Sequence, residues 1–223
     1  MADDEYPSAR AFVPAGVDIE QLRVAALLCH GCPLYADATQ TVFGAGPPSA
    51  RLVFVGEQPG DQEDRRGLPF VGPAGVLLSR ALGDAGIERG QTYVTNAVKH
   101  FKFTQEGPGK RRIHQTPTDR EVVACRPWLA AELREIDPDV IVALGATAGK
   151  SLVGNDFRVT KARGIAMPWP GPGMAAADRR RIVLVPTIHP SAVLRATDRD
   201  DAYAGLVADL TVAARVLANA PAG

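Results

Sequence analysis

Glu57, Gln58, Asp61 and Phe70 stand in one glycine- and proline-punctuated stretch, RLVFVGEQPGDQEDRRGLPFVGPAG, from Arg51 to Gly75. Carboxylates can balance positive charge, an amide can donate and accept together, and a ring can stack on a planar ligand. Taken alone, the same residues also describe an ordinary strand-to-helix turn with solvated acids, so their placement decides. Asn96 stands near the end of a second apolar run, QTYVTNAV, and His189 follows a further one, RIVLVP, in the sequence THPS interrupted only by Ile188. Cys29 and Cys32, in CHGC, have metal-ligand spacing, which is also that of a dithiol redox pair, although no βαβ pattern flanks them. Cys125 is the only other thiol, so a fourth ligand has to come from His30, His100, His114, His189 or a carboxylate.

These residues need elements to hold them. Leu52 to Val55 form a continuous apolar run ended by Gly56, the pattern of a strand buried on both faces. Gln91 to Val98, Asp139 to Gly145 (DVIVALG) and Arg181 to Pro186 give three more strands, some 40 residues apart, with helical patterns between them. Right-handed crossovers then imply an α/β fold, a single-domain three-layer αβα sandwich on a mainly parallel four-stranded sheet. Glu57, Asn96, Gly145 and His189 gather at the carboxyl edge, where open α/β sheets bind ligands. Asp18 caps a first helix with Ile19, Leu22, Ala26 and Leu27 as its apolar stripe. Thr118 and Glu121 form a capping box before a helix that turns Val122, Cys125, Leu129 and Leu133 inward. GATAGKSL opens a helix after Gly145, and it lacks the glycine spacing of a P-loop. Ile165 to Arg179 reads as a loop holding at most a poorly formed edge strand, and Leu206, Leu210, Val212 and Val216 mark a last amphipathic helix. Residues 1–17 are expected to be a flexible tail before a domain spanning 18–219.

With 46% hydrophobic residues among 223, the chain can bury one substantial core. Lys plus Arg and Asp plus Glu number 25 each, so a nucleic-acid surface has to be a local patch. KHFKFTQEGPGKRRIHQTP supplies one, with Lys99, Lys102, Lys110, Arg111 and Arg112 against the single acid Glu106 and with Phe101 and Phe103 interleaved. Phosphates can meet such charges and unstacked bases can meet such rings. The segment MADDEYPSAR has no apolar leader core, and no apolar run reaches membrane-spanning length, so a cytoplasmic protein with no membrane partner is expected.

GEQPG at 56–60, LPFVGPAG at 68–75, TNAVKH at 95–100, ACRPWL at 124–129 and HPS at 189–191 together resemble the iron-sulfur uracil-DNA glycosylases of the family 4 type, from residue 29 to about 195. Gln58 stands where that family has alanine, and KRRIH at 110–114 is added; both features resemble the X-type uracil-DNA glycosylases, which capture their DNA product covalently. The resemblance implies that Phe70 stacks on a flipped uracil, that Asn96 reads its edge, and that Gly56, Gln58 and His189 complete the pocket. Glu57 would stabilise charge at the sugar, His189 would donate to a uracil oxygen, and His114 would attack the sugar carbon. His114 has to be neutral for that, a state that Lys110, Arg111 and Arg112 favour by like-charge repulsion. Lys102, Lys110, Arg111, Arg112, Ser191 and Arg195 would hold the DNA. By position, His100 joins Cys29, Cys32 and Cys125 around a 4Fe-4S cluster, although zinc would accept the same donors. The implied partner is uracil-containing DNA, single-stranded DNA favoured, bound by a monomer. A turning-over glycosylase and a non-catalytic binder of uracil-containing or single-stranded DNA are the alternatives.

Overall fold

The computed structural model describes residues 8–107, 109–169 and 182–220. Its strands are β1 (Leu52–Gly56), β2 (Thr92–Asn96), β3 (Phe103–Thr104), β4 (Ile113–His114), β5 (Val140–Leu144), β6 (Met167–Pro168) and β7 (Val183–Thr187). Its helices are α1 (Ile19–Ala26), α2 (Asp61–Arg66), α3 (Pro73–Asp84), α4 (Asp119–Ile136), α5 (Ala146–Val153), α6 (Val159–Ala162), α7 (Pro190–Arg195) and α8 (Arg199–Asn219). Among the described residues, the main sheet has five strands in the order β2-β1-β5-β7-β6. The first four run parallel and correspond to the four expected from sequence, while β6 pairs antiparallel with β7. That fifth strand corrects the expected count. It is two residues long and includes Pro168, which has no N–H to give and is tolerated at a sheet edge. The remainder of the loop expected there, from residue 170 onward, lies outside the described residues.

Alternation along the strands feeds two cores. Val53, Val55, Ile141, Ala143 and Leu184 face α1, α4 and α5, whereas Leu52, Phe54, Val94, Val142 and Val185 face α3, α7 and α8. Both faces are therefore covered, which is why these strands read as unbroken apolar runs. Each fully buried Leu, Ile or Phe adds about 1.5–3 kcal/mol of transfer free energy. Asp18 and Thr118 cap α1 and α4, and each accepts from the backbone of the residue three positions on, while the Gln21 and Glu121 side chains accept in return. Leu27 is 61% exposed, just past the end of α1, and so drops out of the expected stripe. Val212 and Val216 are half-buried against the second core.

Residues 8–17 do not behave as the expected flexible tail. Ala9 is buried, and Phe12, Val13 and Val17 pack on the α4 side of the sheet. Gly31 permits the approach, since a Cβ there would lie 2.6 Å from Ala9 Cα. Of the expected tail, only residues 1–7 lie outside the described residues. The hydrophobic residues Phe12, Val13 and Val17 were the available signal, diluted by the acids before them.

Candidate active site

A cleft of about 1170 Å³ opens along the carboxyl edge of the sheet. Glu57, Phe70, Asn96, His114, Gly145 and His189 all line it, brought there by the exits of β1, β2, β5 and β7 and by the β3–β4 hairpin. Asn96 is buried at the end of β2 and lines the cleft, and its side-chain amide makes no hydrogen bond among the described residues, so it can meet a ligand there. Gly56 sits beneath it; a Cβ there would lie 2.3 Å from Asn96 Oδ1 and 2.7 Å from Phe70 Cζ. The glycine thus lets the amide and the ring close over one spot. Phe70 itself holds a positive φ of 57°, an uncommon backbone state for an aromatic. Glu63 braces the surrounding loop, accepting from Gly60 N at 3.1 Å and Gly72 N at 2.7 Å.

His189 caps α7. Its Nδ1 accepts the Ser191 backbone N–H at 3.1 Å, which puts the ring proton on Nε2. Burial, with the charges of Arg195 and His114 adding to it, lowers its pKa to about 4, so the ring is a neutral donor near pH 7. Ser191, expected on DNA, instead contacts that ring at 2.8 Å through its hydroxyl. Gly145, at φ 90°, leaves room for the His189 Cβ.

Glu57 Oε1 lies 3.4 Å from His114 Nε2, and its other oxygen accepts from the Thr147 hydroxyl. His114 reaches this position because β4 pairs antiparallel with β3, placing it opposite Phe103. The hairpin is tied down by Gln58. That amide accepts from Lys102 N at 2.9 Å and donates to Gln115 O at 2.9 Å, one residue on each flank. The expected role of Gln58 in base contact is therefore corrected, because its amide is committed to the loop.

The basic patch is also corrected in part. Lys99 is wholly buried, where its ammonium meets Glu132, Thr95 Oγ1 at 2.7 Å and the Asn96 carbonyl at 2.7 Å. Glu132 takes Tyr93 OH at 2.9 Å and Gly44 N at 3.0 Å besides. Lys102 pairs with Glu121 at 2.9 Å. Arg112 pairs with Asp61 and with Asp64, the latter at 2.6 Å, and lies over the Phe101 and Phe103 rings. Burial raises the Asp61 pKa, but the hydrogen bonds from Arg65 and Arg112 outweigh it and hold the carboxyl below its usual range. Phe101 is buried and stacked on Phe103 at 5.1 Å, so it is a floor for Arg112 and not a platform for bases. Lys110 and Arg111 stay exposed, and Arg111 and Arg195 line the cleft.

Cys29, Cys32 and Cys125 are free, buried thiols in the core on the α4 side. Burial, with like-charge repulsion from neighbouring thiols adding to it, pushes Cys32 up to about 11 and Cys125 up to about 12, so these two would hold their protons without a cationic centre beside them. His100 is buried and follows Lys99, whose backbone N–H donates to Cys125 Sγ at 3.3 Å; burial lowers the His100 pKa to about 4. The Thr41 hydroxyl gives its proton to the Ala26 carbonyl at 3.0 Å, so it accepts from His100 Nε2 at 2.9 Å and leaves the lone pair on Nδ1. A neutral imidazole oriented by a hydroxyl and three deprotonatable thiols suit a thiolate-bound metal group. Among the described residues, no three His, Cys, Asp or Glu side chains are drawn together as ligands of a single ion. His30, the other histidine near the thiols in sequence, stands against Tyr35 with ring centroids 4.3 Å apart.

The residues that sequence reasoning missed are Glu63, Thr147, Thr41 and Glu132. Only Glu132 left a trace, as an acid in the middle of the inward face that Cys125, Leu129 and Leu133 define.

Residues 43–211 match the family model described as the uracil DNA glycosylase superfamily. The chain is 43% identical over 168 residues to the type-4 uracil-DNA glycosylase of Thermotoga maritima, covering 75% of this chain and 78% of that one. It is 36% identical over 181 residues to the type-4 enzyme of Sulfurisphaera tokodaii (79% and 76% covered) and 35% over 179 residues to that of Pyrobaculum aerophilum (80% and 86%). A parallel sheet whose carboxyl edge gathers Glu57, Asn96 and His189, together with a match across most of its length, means that this chain belongs to the uracil DNA glycosylase superfamily.

Proposed function

We propose that this protein excises uracil from DNA and then stays joined to its product through His114. The observation that carries this reading is the Glu57–His114 contact of 3.4 Å inside the cleft that Asn96, Phe70 and His189 line. A flipped uracil stacks on Phe70 and meets both ends of the Asn96 amide, which matches its adjacent carbonyl and N–H. As the bond from sugar to base breaks, its electron pair goes to the uracil ring, and the Nε2–H of His189 stabilises the oxygen where that charge collects. The anomeric carbon gains positive charge, which the Glu57 carboxylate offsets. The lone pair of one His114 ring nitrogen then forms the new bond to that carbon, and the proton on the other nitrogen passes to water at this solvent-exposed ring. The resulting neutral alkyl imidazole is a poor leaving group, so the adduct persists. The hairpin that Gln58 and Arg112 fix holds the ring in place, which turns capture into a positioned, unimolecular step.

Cys29, Cys32, Cys125 and His100 are the proposed holders of a 4Fe-4S cluster, which would tie the α1 exit, the β2 exit and α4 together when bound. The proposed substrate strand is single-stranded, and the proposed working form is a monomer. No helix among the described residues is long and apolar enough to cross a membrane.

A conventional, turning-over glycosylase is the second reading, and the names of the type-4 relatives favour it more directly than they favour capture. Counting uracil released per protein separates the two. Capture predicts a burst of one equivalent and then silence, whereas continued release over many equivalents supports turnover.

A further inference from the structure

A second cavity of about 80 Å³ adjoins the cleft and shares Thr116 and Ala146 with it. Arg126 from α4, Lys150 from α5 and Asn155 beyond it line this cavity, with Asp119 as its one acid. Arg126 Nε is buried and has no acceptor, although buried donors are nearly always satisfied. The Lys150 ammonium has no ion pair or hydrogen-bond partner among the described residues. Both cations therefore line one cavity, and neither has an ion pair among the described residues. The contrast with the basic patch is direct, because Lys102 and Arg112 there are taken up by Glu121, Asp61 and Asp64.

We propose that this cavity is a phosphodiester subsite for the strand flanking the flipped nucleotide, a reading that rests on the proposed action on DNA. A phosphodiester is a monoanion with two free oxygens. One suits the Nε edge of a guanidinium and the other a lysine point charge, with the Asn155 amide and the Thr116 hydroxyl as neutral donors. A strand whose sugar lies against Glu57 and His114 leaves the cleft over the Thr116–Ala146 rim, and a neighbouring phosphate drops into the cavity beyond. The subsite grips the backbone without reading sequence, so it sets affinity and register and leaves base choice to Asn96.

The test uses the full chain and a single-stranded oligonucleotide carrying one cleavage-resistant fluorinated deoxyuridine. Flanking phosphates are replaced one at a time by neutral methylphosphonates, and binding is measured for the parent protein, Lys150→Gln, Lys150→Arg and Arg126→Gln. Lys150→Gln is expected to lower the slope of log affinity against log salt by about 0.7. It should also become insensitive to methylphosphonate at one position that costs the parent affinity, and Lys150→Arg should restore that sensitivity. In single-turnover assays at subsaturating uracil-DNA, Lys150→Gln should excise more slowly than the parent, and raising the DNA concentration should recover the rate. Arg126→Gln should repeat the result, but because Arg126 follows Cys125, Lys150→Gln decides. Equal sensitivity of the parent and Lys150→Gln at every phosphate overturns the subsite. A parent that releases no uracil would instead overturn the glycosylase reading, so the two failures are distinct.

Discussion

Two acid–base pairs stand behind adjacent strands and have opposite fates. Lys99 and Glu132, behind β2, are 1% and 0% exposed, and the ammonium and carboxylate are met by each other and by Tyr93, Thr95, Gly44 and the Asn96 carbonyl. His114 and Glu57, beside β1, are 48% and 21% exposed, and the histidine has only that one polar partner among the described residues. The first pair is saturated and can only hold structure. The second leaves a ring nitrogen unsatisfied and faces a cleft, which is the condition for chemistry. Substitutions should therefore cost folding on one side and reaction on the other.

The largest effect is expected from Lys99→Met. It strands Glu132 in the core, and breaking one partner of a buried pair costs about 3–5 kcal/mol, so denaturation midpoints should fall sharply or soluble protein should be lost. Stability close to the parent's would erase the contrast. Cys125→Ala should come next on the buried side, with lower iron content, loss of visible absorption and a lower melting temperature. Colourless parent protein from an iron-replete, anaerobic preparation would count against the cluster, whatever the variant does. On the cleft side, Asn96→Ala should melt like the parent yet excise uracil at least about tenfold more slowly, because the base edge goes unpaired. Unchanged excision would remove Asn96 from the site.

A smaller effect belongs to pH. The folded pKa of His189, about 4, lies below the ordinary value of 6.5, so the unfolded chain binds more protons between those limits. Stability should therefore be fully present above about pH 6.5 and fall as pH drops toward 4. His189→Gln should flatten that fall in acid denaturation, and an unaltered profile would contradict the neutral, buried ring.

The same contrast explains what was legible in the sequence. Four apolar runs disclosed the parallel strands, and the capping residues Asp18 and Thr118 disclosed where α1 and α4 begin, because strand burial and helix starts are local properties. The placement of Glu57, Asn96 and His189 at strand exits was legible for the same reason. Partnership was not local. Lys99 counted as one more cation in a basic run, and its partner lies 33 residues away on α4. Arg112 likewise meets acids 51 and 48 residues distant. Charge counted along a chain cannot show which cations are already neutralised. Gln58 shows a related limit, since an amide suited to a base is equally suited to two backbone groups of a hairpin.

Bonding of His114 to the DNA can be read from a denaturing gel. The parent protein and His114→Ser are each incubated with a labelled, uracil-containing single strand, then heated in detergent before separation. A shifted, heat-resistant band is expected for the parent and none for His114→Ser, which should still release uracil because water takes the vacated place. A shifted band from His114→Ser, or free abasic product with no band from the parent, would contradict it.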